Sequence, residues 1–206
     1  MSSDPGIAMW EARFATPDYV YGTEPNAFLS AQSHRLKPGM RALALADGEG
    51  RNGVWLAQQG LDVLSVDGSS AAQAKARALA AARGVTLDTE LADLAHWDFG
   101  QQRFDLVAAI FIQFAGPDLR QRLFAAMRDS LKPGGLLILQ GYRPEQLDYG
   151  TGGPKQVEQL YTAAMLSEAF AGMEILHLQE HDSVIHEGRG HGGMSALVDL
   201  VARQHD

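Results

Sequence analysis

A chain of 206 residues with 46% hydrophobic and 20% charged residues has the apolar mass for one well-filled core, so a single globular domain over 1–206 is expected. Its formal net charge of −8 argues against a broad phosphate-binding surface and points to a small-molecule partner rather than nucleic acid. With no cysteine, disulfides, thiolate metal sites and cysteine nucleophiles are excluded.

The opening MSSDPGIAMWEARF has neither a basic start nor an apolar run, and no later stretch reaches membrane-spanning length. The expectation is a cytoplasmic protein with no membrane partner, its residues 1–8 disordered. Arg41 to Ala46 reads as a short apolar strand, Asn52 to Gln59 as a helix closed by Gly60, and Asp62 to Val66 as a second strand. Ser69 or Ser70 caps an alanine-rich helix that runs to about Arg83, with Gly84 as its stop. Val85 to Glu90 is expected as a third strand, and Phe104 to Phe111, apolar on both faces, as a central fourth. Leu119, Leu123, Phe124, Met127 and Leu131 recur at helical spacing until Pro133-Gly134-Gly135 ends that helix before the strand LLILQ. Tyr142 to Pro154 reads as an ordered loop, followed by a helix from about Thr162 to Ala171. Two last strand-like runs, Glu174 to Val184 and Met194 to Ala202, have no helix between them and are expected to pair antiparallel.

The most informative stretch is ALADGEGRNG, Ala44 to Gly53, followed by a strand that ends in Asp67. Gly48 and Gly50 remove side chains where the backbone turns sharply and a ligand comes close, and the helix that starts there offers unpartnered N–H groups to an anion. Asp67, at the carboxyl end of the next strand, can accept hydrogen bonds from two vicinal ribose hydroxyls. An adenosine with a charged tail fits this pattern. The histidines His177, His181, His186 and His191 match no zinc spacing, so no metal is expected, and His177 and His181 read as solvated strand residues. His191, in a glycine-rich hairpin, is open to either a pocket role or a surface one.

The order of ADGEGRN, the strand ending in Asp67, Ala92-Asp93-Leu94, FDLVAAIF and LKPGG resembles the class I S-adenosylmethionine-dependent methyltransferases. WEARF, VYGTEPNAFL, GEGRN and EGRGHGG further resemble the small bacterial methyltransferases grouped with tellurite-resistance and thiopurine-type enzymes. The resemblance, over roughly 10–202, implies an α/β, Rossmann-like sandwich with a mostly parallel seven-stranded sheet and an antiparallel C-terminal strand. It implies a lid segment over 9–36 and a core over 37–206. It also implies S-adenosylmethionine as cofactor, with S-adenosylhomocysteine as product. The cofactor-binding set carried over is Arg13, Ala46, Asp47, Gly48, Glu49, Gly50, Asn52, Asp67, Gly68, Ser69, Asp93, Leu94, Ile110 and Phe111. Within it Gly48 to Gly50 wrap the methionine portion, Asp67 holds the ribose, Asp93 and Leu94 meet the adenine, and Arg13 reaches the cofactor's carboxylate. Two positions depart from the family: Ala44 replaces an acidic residue of the first strand, and Ala46 the first glycine of the turn. Asp47 either substitutes for the missing carboxylate or caps the helix.

Methyl transfer from a sulfonium needs chiefly alignment and a shielded pocket. Trp10, Tyr21, Phe114 and Arg143 are expected to line the substrate pocket, Arg143 favouring an anion. Gln113, Tyr142 and His191 are the candidate catalytic residues, none of them an obvious base. A soft or anionic nucleophile is therefore expected: a thiol, a halide, or a selenium or tellurium oxyanion. The alternatives are a catalytically weak adenosyl-binding regulatory module and, less favoured by the acidic charge, an RNA or protein methyltransferase. A monomer or homodimer suits either.

Overall fold

Residues 5–205 are described by a computed structural model, in which seven strands form one sheet of order β3-β2-β1-β4-β5-β7-β6. The chain divides into two compact units, one made of the described residues through Trp97 together with Glu187–Gly190, the other of Asp98–His186 and residues 191–205.

The first unit holds α1 (Pro5–Phe14), α2 (Ala27–Ala31), β1 (Arg41–Leu45), α3 (Arg51–Gln58), β2 (Asp62–Asp67), α4 (Ser70–Ala82) and β3 (Asp88–Leu91). The expected disordered stretch 1–8 overlaps α1 from Pro5 onward, and residues 1–4 lie outside the described residues. β1, β2 and β3 pair in parallel, with Arg41 opposite Asp62 and Leu64 opposite Asp88. β3 starts at Asp88 rather than Val85 because Val85 packs with Val54, Leu79 and Ala80, ahead of the strand. Ser69 caps α4 by accepting the Ala72 N–H, and small buried residues, Ala72, Ala76 and Ala80, let that helix lie close. The closeness is measurable at Gly50, whose φ is +87° and where a Cβ would come within 2.6 Å of the Ala76 Cβ.

The second unit holds β4 (Phe104–Ile110), α5 (Pro117–Ser130), β5 (Leu131–Tyr142), α6 (Gln146–Tyr149), α7 (Ala163–Ala169), β6 (Glu174–Glu187) and β7 (His191–Arg203), with the last residue of β6 belonging to the first unit. β4 is buried on both faces, as its apolar run requires, and pairs in parallel with β5. Pro133-Gly134-Gly135 does not separate helix from strand: β5 runs from Leu131 straight through it, with a register shift between Phe104 and Leu106 absorbing the irregularity. β7 is antiparallel to β5, Leu137 opposite Ala202. β6 and β7 are neighbours joined by three residues, a link too short for anything but an antiparallel hairpin. The 142–154 loop contains the single helical turn α6, fixed where the buried Gln146 side chain bonds Thr151, Gly152 and Ala196.

Candidate functional site

In the first unit the turn after β1 takes three left-handed residues, Ala46 (φ 47°), Gly48 (φ 58°) and Gly50 (φ 87°). Ala46 thus holds the conformation that glycine holds at less cost. The Gly48 N–H donates to Asp67 Oδ2 at 2.9 Å and the Ser69 N–H to Asp67 Oδ1 at 2.8 Å. Burial pushes the Asp67 carboxyl up, and those two N–H groups pull it part of the way back. The Gly68 N–H adds a weaker pull in the same direction.

Asp47 answers the question its neighbours raised. Both its oxygens lie within 3.2 Å of the Gly53 N–H, and Oδ2 also accepts the Ser65 hydroxyl at 2.9 Å, so it caps the first turn of α3. Ser65 is the strand partner of Ala44, so Asp47 brings a carboxylate beside the position that Ala44 leaves apolar. Burial pushes Asp47 up to about 7, against the pull of the Ser65 and Gly53 bonds.

The polar side chains of GEGRN serve the N-terminal segment. Glu49 Oε2 accepts the Val20 and Tyr21 N–H groups at 2.7 and 3.3 Å while Oε1 pairs with Lys75 at 2.7 Å. Asn52 Oδ1 accepts the Asn26 N–H, and Arg51 Nη2 pairs with Glu187 at 2.6 Å. Glu187 also takes the Asn26 amide, and Asn26 in turn caps α2 through the Leu29 N–H. The Arg51 side chain is only 7% exposed, yet its Nη1 has no hydrogen-bond partner among the described residues.

Above the turn Phe14 lies 3.3 Å from where a Gly48 Cβ would sit, and Ile7 is as close to Gly68. Trp10 stacks on Phe14 with ring centroids 5.6 Å apart, Tyr21 packs edge-on to Phe14, and the Arg13 guanidinium lies over Trp10 and Tyr21. Glu11 bonds the hydroxyls of Ser69 and Ser70 and the Ala71 N–H at the start of α4, which lowers its carboxyl. Asp93 spends one oxygen on the Ala95 N–H and the other on His96, and together they outweigh the upward push of burial; Leu94 is buried.

In the second unit, Phe111 follows Ile110 at the end of β4 with φ 56°, a strained value for an aromatic residue. Its ring stacks on Tyr142 (4.6 Å between centroids) and on His191 (4.4 Å), which are themselves 5.6 Å apart. One ring therefore spans both partners from the same side. Tyr142 Oη and His191 Nδ1 share a hydrogen bond of 2.5 Å, and both residues are buried.

Gln113 is not available as a base. Its Nε2 donates to the carbonyls of Tyr142 and Gln159, and its Oε1 accepts the Tyr142 N–H at 2.6 Å, so it clamps the main chain that carries Tyr142. Phe114, half-buried, accepts the Gln159 amide through its carbonyl. Arg143 departs from its expected role. Glu145, Glu180 and Asp182 surround its guanidinium, Asp182 at 2.5 Å, so its charge is neutralised within the protein. His181 is not merely solvated either, since it bonds Asp199 and Ser183 on the sheet face. Among the described residues no group of three or more His, Asp or Glu is arranged to hold a metal ion, and no helix is long and apolar enough to cross a membrane.

Sequence reasoning placed the glycines and Asp67 but missed Asn26, Arg51 and Glu187. The VYGTEPNAFL, GEGRN and EGRGHGG runs contain them, without showing that they meet.

Residues 42–135 match the model of a methyltransferase domain. The chain is 31% identical over 137 residues to an uncharacterized methyltransferase of Synechocystis sp., the match spanning 66% of this chain and 62% of that protein's length. Among solved structures it resembles the N-methyltransferase NodS of Bradyrhizobium japonicum in complex with S-adenosylhomocysteine, with a TM-score of 0.74 at 13% identity over 98% of this chain and all of the other. It also resembles TehB of Haemophilus influenzae, with a TM-score of 0.72 at 17% identity over 97% of this chain and 67% of that one. The strand order gives the chain the Rossmann-like fold of these methyltransferase structures, and residues 42–135 within it carry the methyltransferase-domain match.

Proposed function

We propose that this protein is an S-adenosylmethionine-dependent methyltransferase acting on a small molecule. The observation that carries the reading is the bond from the Gly48 N–H to Asp67, which fixes a buried carboxylate against a glycine of the turn. The residues fit the cofactor at both ends. Asp67, at the carboxyl end of β2, can take the ribose hydroxyls, and Asp93 with Leu94 the adenine. The buried, unpartnered Nη1 of Arg51 suits a carboxylate such as that of the methionine portion, with Arg13 as a second donor.

When bound, the cofactor supplies a methyl group on a positively charged sulfur. This chain's residues bind it, exclude water and receive the acceptor. Phe14, Trp10 and Tyr21 shield the turn, and Glu49 ties them down through the backbone of Val20 and Tyr21. The expected soft anionic acceptor rested on Arg143 and on the want of a base. The thiol branch of that expectation is the one that keeps support once Arg143 is spent on carboxylates.

Calorimetric titration with S-adenosylhomocysteine tests the donor site, and mass detection of methylated products over a panel of small nucleophiles tests the reaction. Absence of binding would overturn the proposal. Binding without methylation of any small nucleophile would move it toward a regulatory adenosyl-binding protein.

A further inference from the structure

Three neighbouring strands of the second unit, in the order β5-β7-β6, contribute to one row of polar side chains. Gln140 on β5 stands opposite Asp199 on β7 and donates its amide to Asp199 Oδ1 at 2.6 Å. Asp199 Oδ2 meets His181 Nε2 on β6 at 3.0 Å, and His181 Nδ1 meets the Ser183 hydroxyl at 2.8 Å. His181 and Ser183 lie two residues apart on one strand and so share a face. Packing does not ask for this row. Leu197 and Val201, two positions either side of Asp199 on the same face of β7, are 1% and 0% exposed, and an apolar side chain between them would avoid burying a carboxyl. Burial pushes the Asp199 carboxyl up, and its bonds to Gln140 and His181 draw it back.

The row has a direction. An ionised carboxylate only accepts hydrogen bonds, so the imidazole proton sits on Nε2, and Nδ1 turns a lone pair to the Ser183 hydroxyl, which donates to it. Gln140 holds the other carboxylate oxygen and so steadies the acid that orients the ring. The outer end of the row is open to solvent: the His181 side chain is 25% exposed and Ser183 is half-buried. A reachable hydroxyl on a base that a buried acid orients is the arrangement that makes serine a nucleophile. The structure assigns to Ser183, His181 and Asp199 an acyl-transfer site whose substrate is a small activated ester, an aryl ester or a thioester. As the Ser183 Oγ electron pair forms a bond to the carbonyl carbon, the hydroxyl proton passes to His181 Nδ1. The carbonyl then re-forms, the bond to the leaving oxygen or sulfur breaks, and that atom keeps the electron pair and takes the proton from His181. The acyl group stays on Ser183 until water, giving its proton to His181, attacks it and releases the acid, and His181 returns that proton to Ser183 Oγ. Phenols and thiols ionise at about 8 to 10, so they leave readily with this help, whereas simple alcohols do not. Asp199 and Gln140 are positioning residues that touch no substrate.

The test uses the full chain without any methyl donor, so its outcome is separate from that of the methyltransferase reading. Mixed with 4-nitrophenyl acetate, the wild type is expected to release about one equivalent of 4-nitrophenolate per chain in a burst, followed by slow turnover. Peptide mass mapping is expected to place the acetyl group on Ser183. Ser183→Ala removes one half-buried hydroxyl and is expected to abolish the burst. Asp199→Asn can turn an amide N–H toward Nε2, which moves the ring proton to Nδ1 and is expected to slow acylation about 100-fold. The ring nitrogen shifts of His181 read this directly, reporting Nε2–H in the wild type and Nδ1–H in the variant. A burst that survives Ser183→Ala, an acetyl group found on other residues alone, or no burst in the wild type would overturn the site.

Discussion

Glu49 and Val20 are joined by a 2.7 Å hydrogen bond from the Val20 N–H to a carboxylate only 3% exposed, on the residue between the two turn glycines. The same side chain holds Lys75 on α4. A charged group in the turn thus fastens the N-terminal segment, and Glu49→Ala leaves two backbone N–H groups without their acceptor and the Lys75 ammonium with the Asp18 carbonyl. The expected cost is about 2 to 3 kcal/mol, with faster amide exchange at residues 18–26. Exchange unchanged in a folded variant would disprove the fastening.

Asp67→Ala removes the acceptor of the Gly48 and Ser69 N–H groups and the proposed ribose contact together. Affinity for S-adenosylhomocysteine is expected to fall by about 2 to 4 kcal/mol, measured by calorimetry on a variant shown to be folded. An unaltered Kd would refute the ribose role.

Arg51 is assigned to the amino-acid end of the donor, and 5′-methylthioadenosine lacks that end. In a Glu187→Gln background, which avoids stranding a buried charge, Arg51→Met is expected to weaken S-adenosylhomocysteine about tenfold and leave 5′-methylthioadenosine unaffected. Equal losses for both ligands would mean that Arg51 acts only on the scaffold.

Asp47 makes a pH prediction of definite sign. Its carboxyl rises from 3.8 to about 7 on folding, so the folded state holds a proton that the unfolded state has given up. Its contribution favours folding below about 4, is lost progressively as pH rises toward about 7, and stays lost above that, a swing of roughly 4 kcal/mol at most. Asp47→Asn can still cap Gly53. Denaturant midpoints compared at pH 5 and pH 8 are expected to show a smaller loss toward pH 8 in the variant than in the wild type. Parallel losses would show that Asp47 stays ionised in the folded chain.

What could be read from the sequence was what depends on near neighbours. The apolar run FDLVAAIF had to be a central strand, and two glycines followed by a strand ending in Asp67 had to be a tight turn beside a carboxylate. Ser69 was legible as a cap for the same reason. Illegible were the bonds that close over long separations. Glu187 meets Arg51 across 136 positions, and neither residue has a periodic pattern to betray it. Tyr142 and His191 were each suspected, but their pairing depends on a hairpin that returns His191 to the end of β5. Arg143 misled because its three carboxylate partners lie on a neighbouring turn and on β6. The LKPGG break misled because a register shift lets a strand carry glycine and proline that would stop a helix.

The position of Glu187 has a consequence in time. It is the acceptor for Arg51 and for Asn26, whose own side chain caps α2, so the segment that carries Asn26 waits for a residue translated 161 positions later. Contacts so distant along the chain form late, after the entropy of closing a large loop has been met. On a ribosome, α2 and its cap emerge with their anchor not yet translated. Their docking follows the arrival of β6 rather than their own emergence.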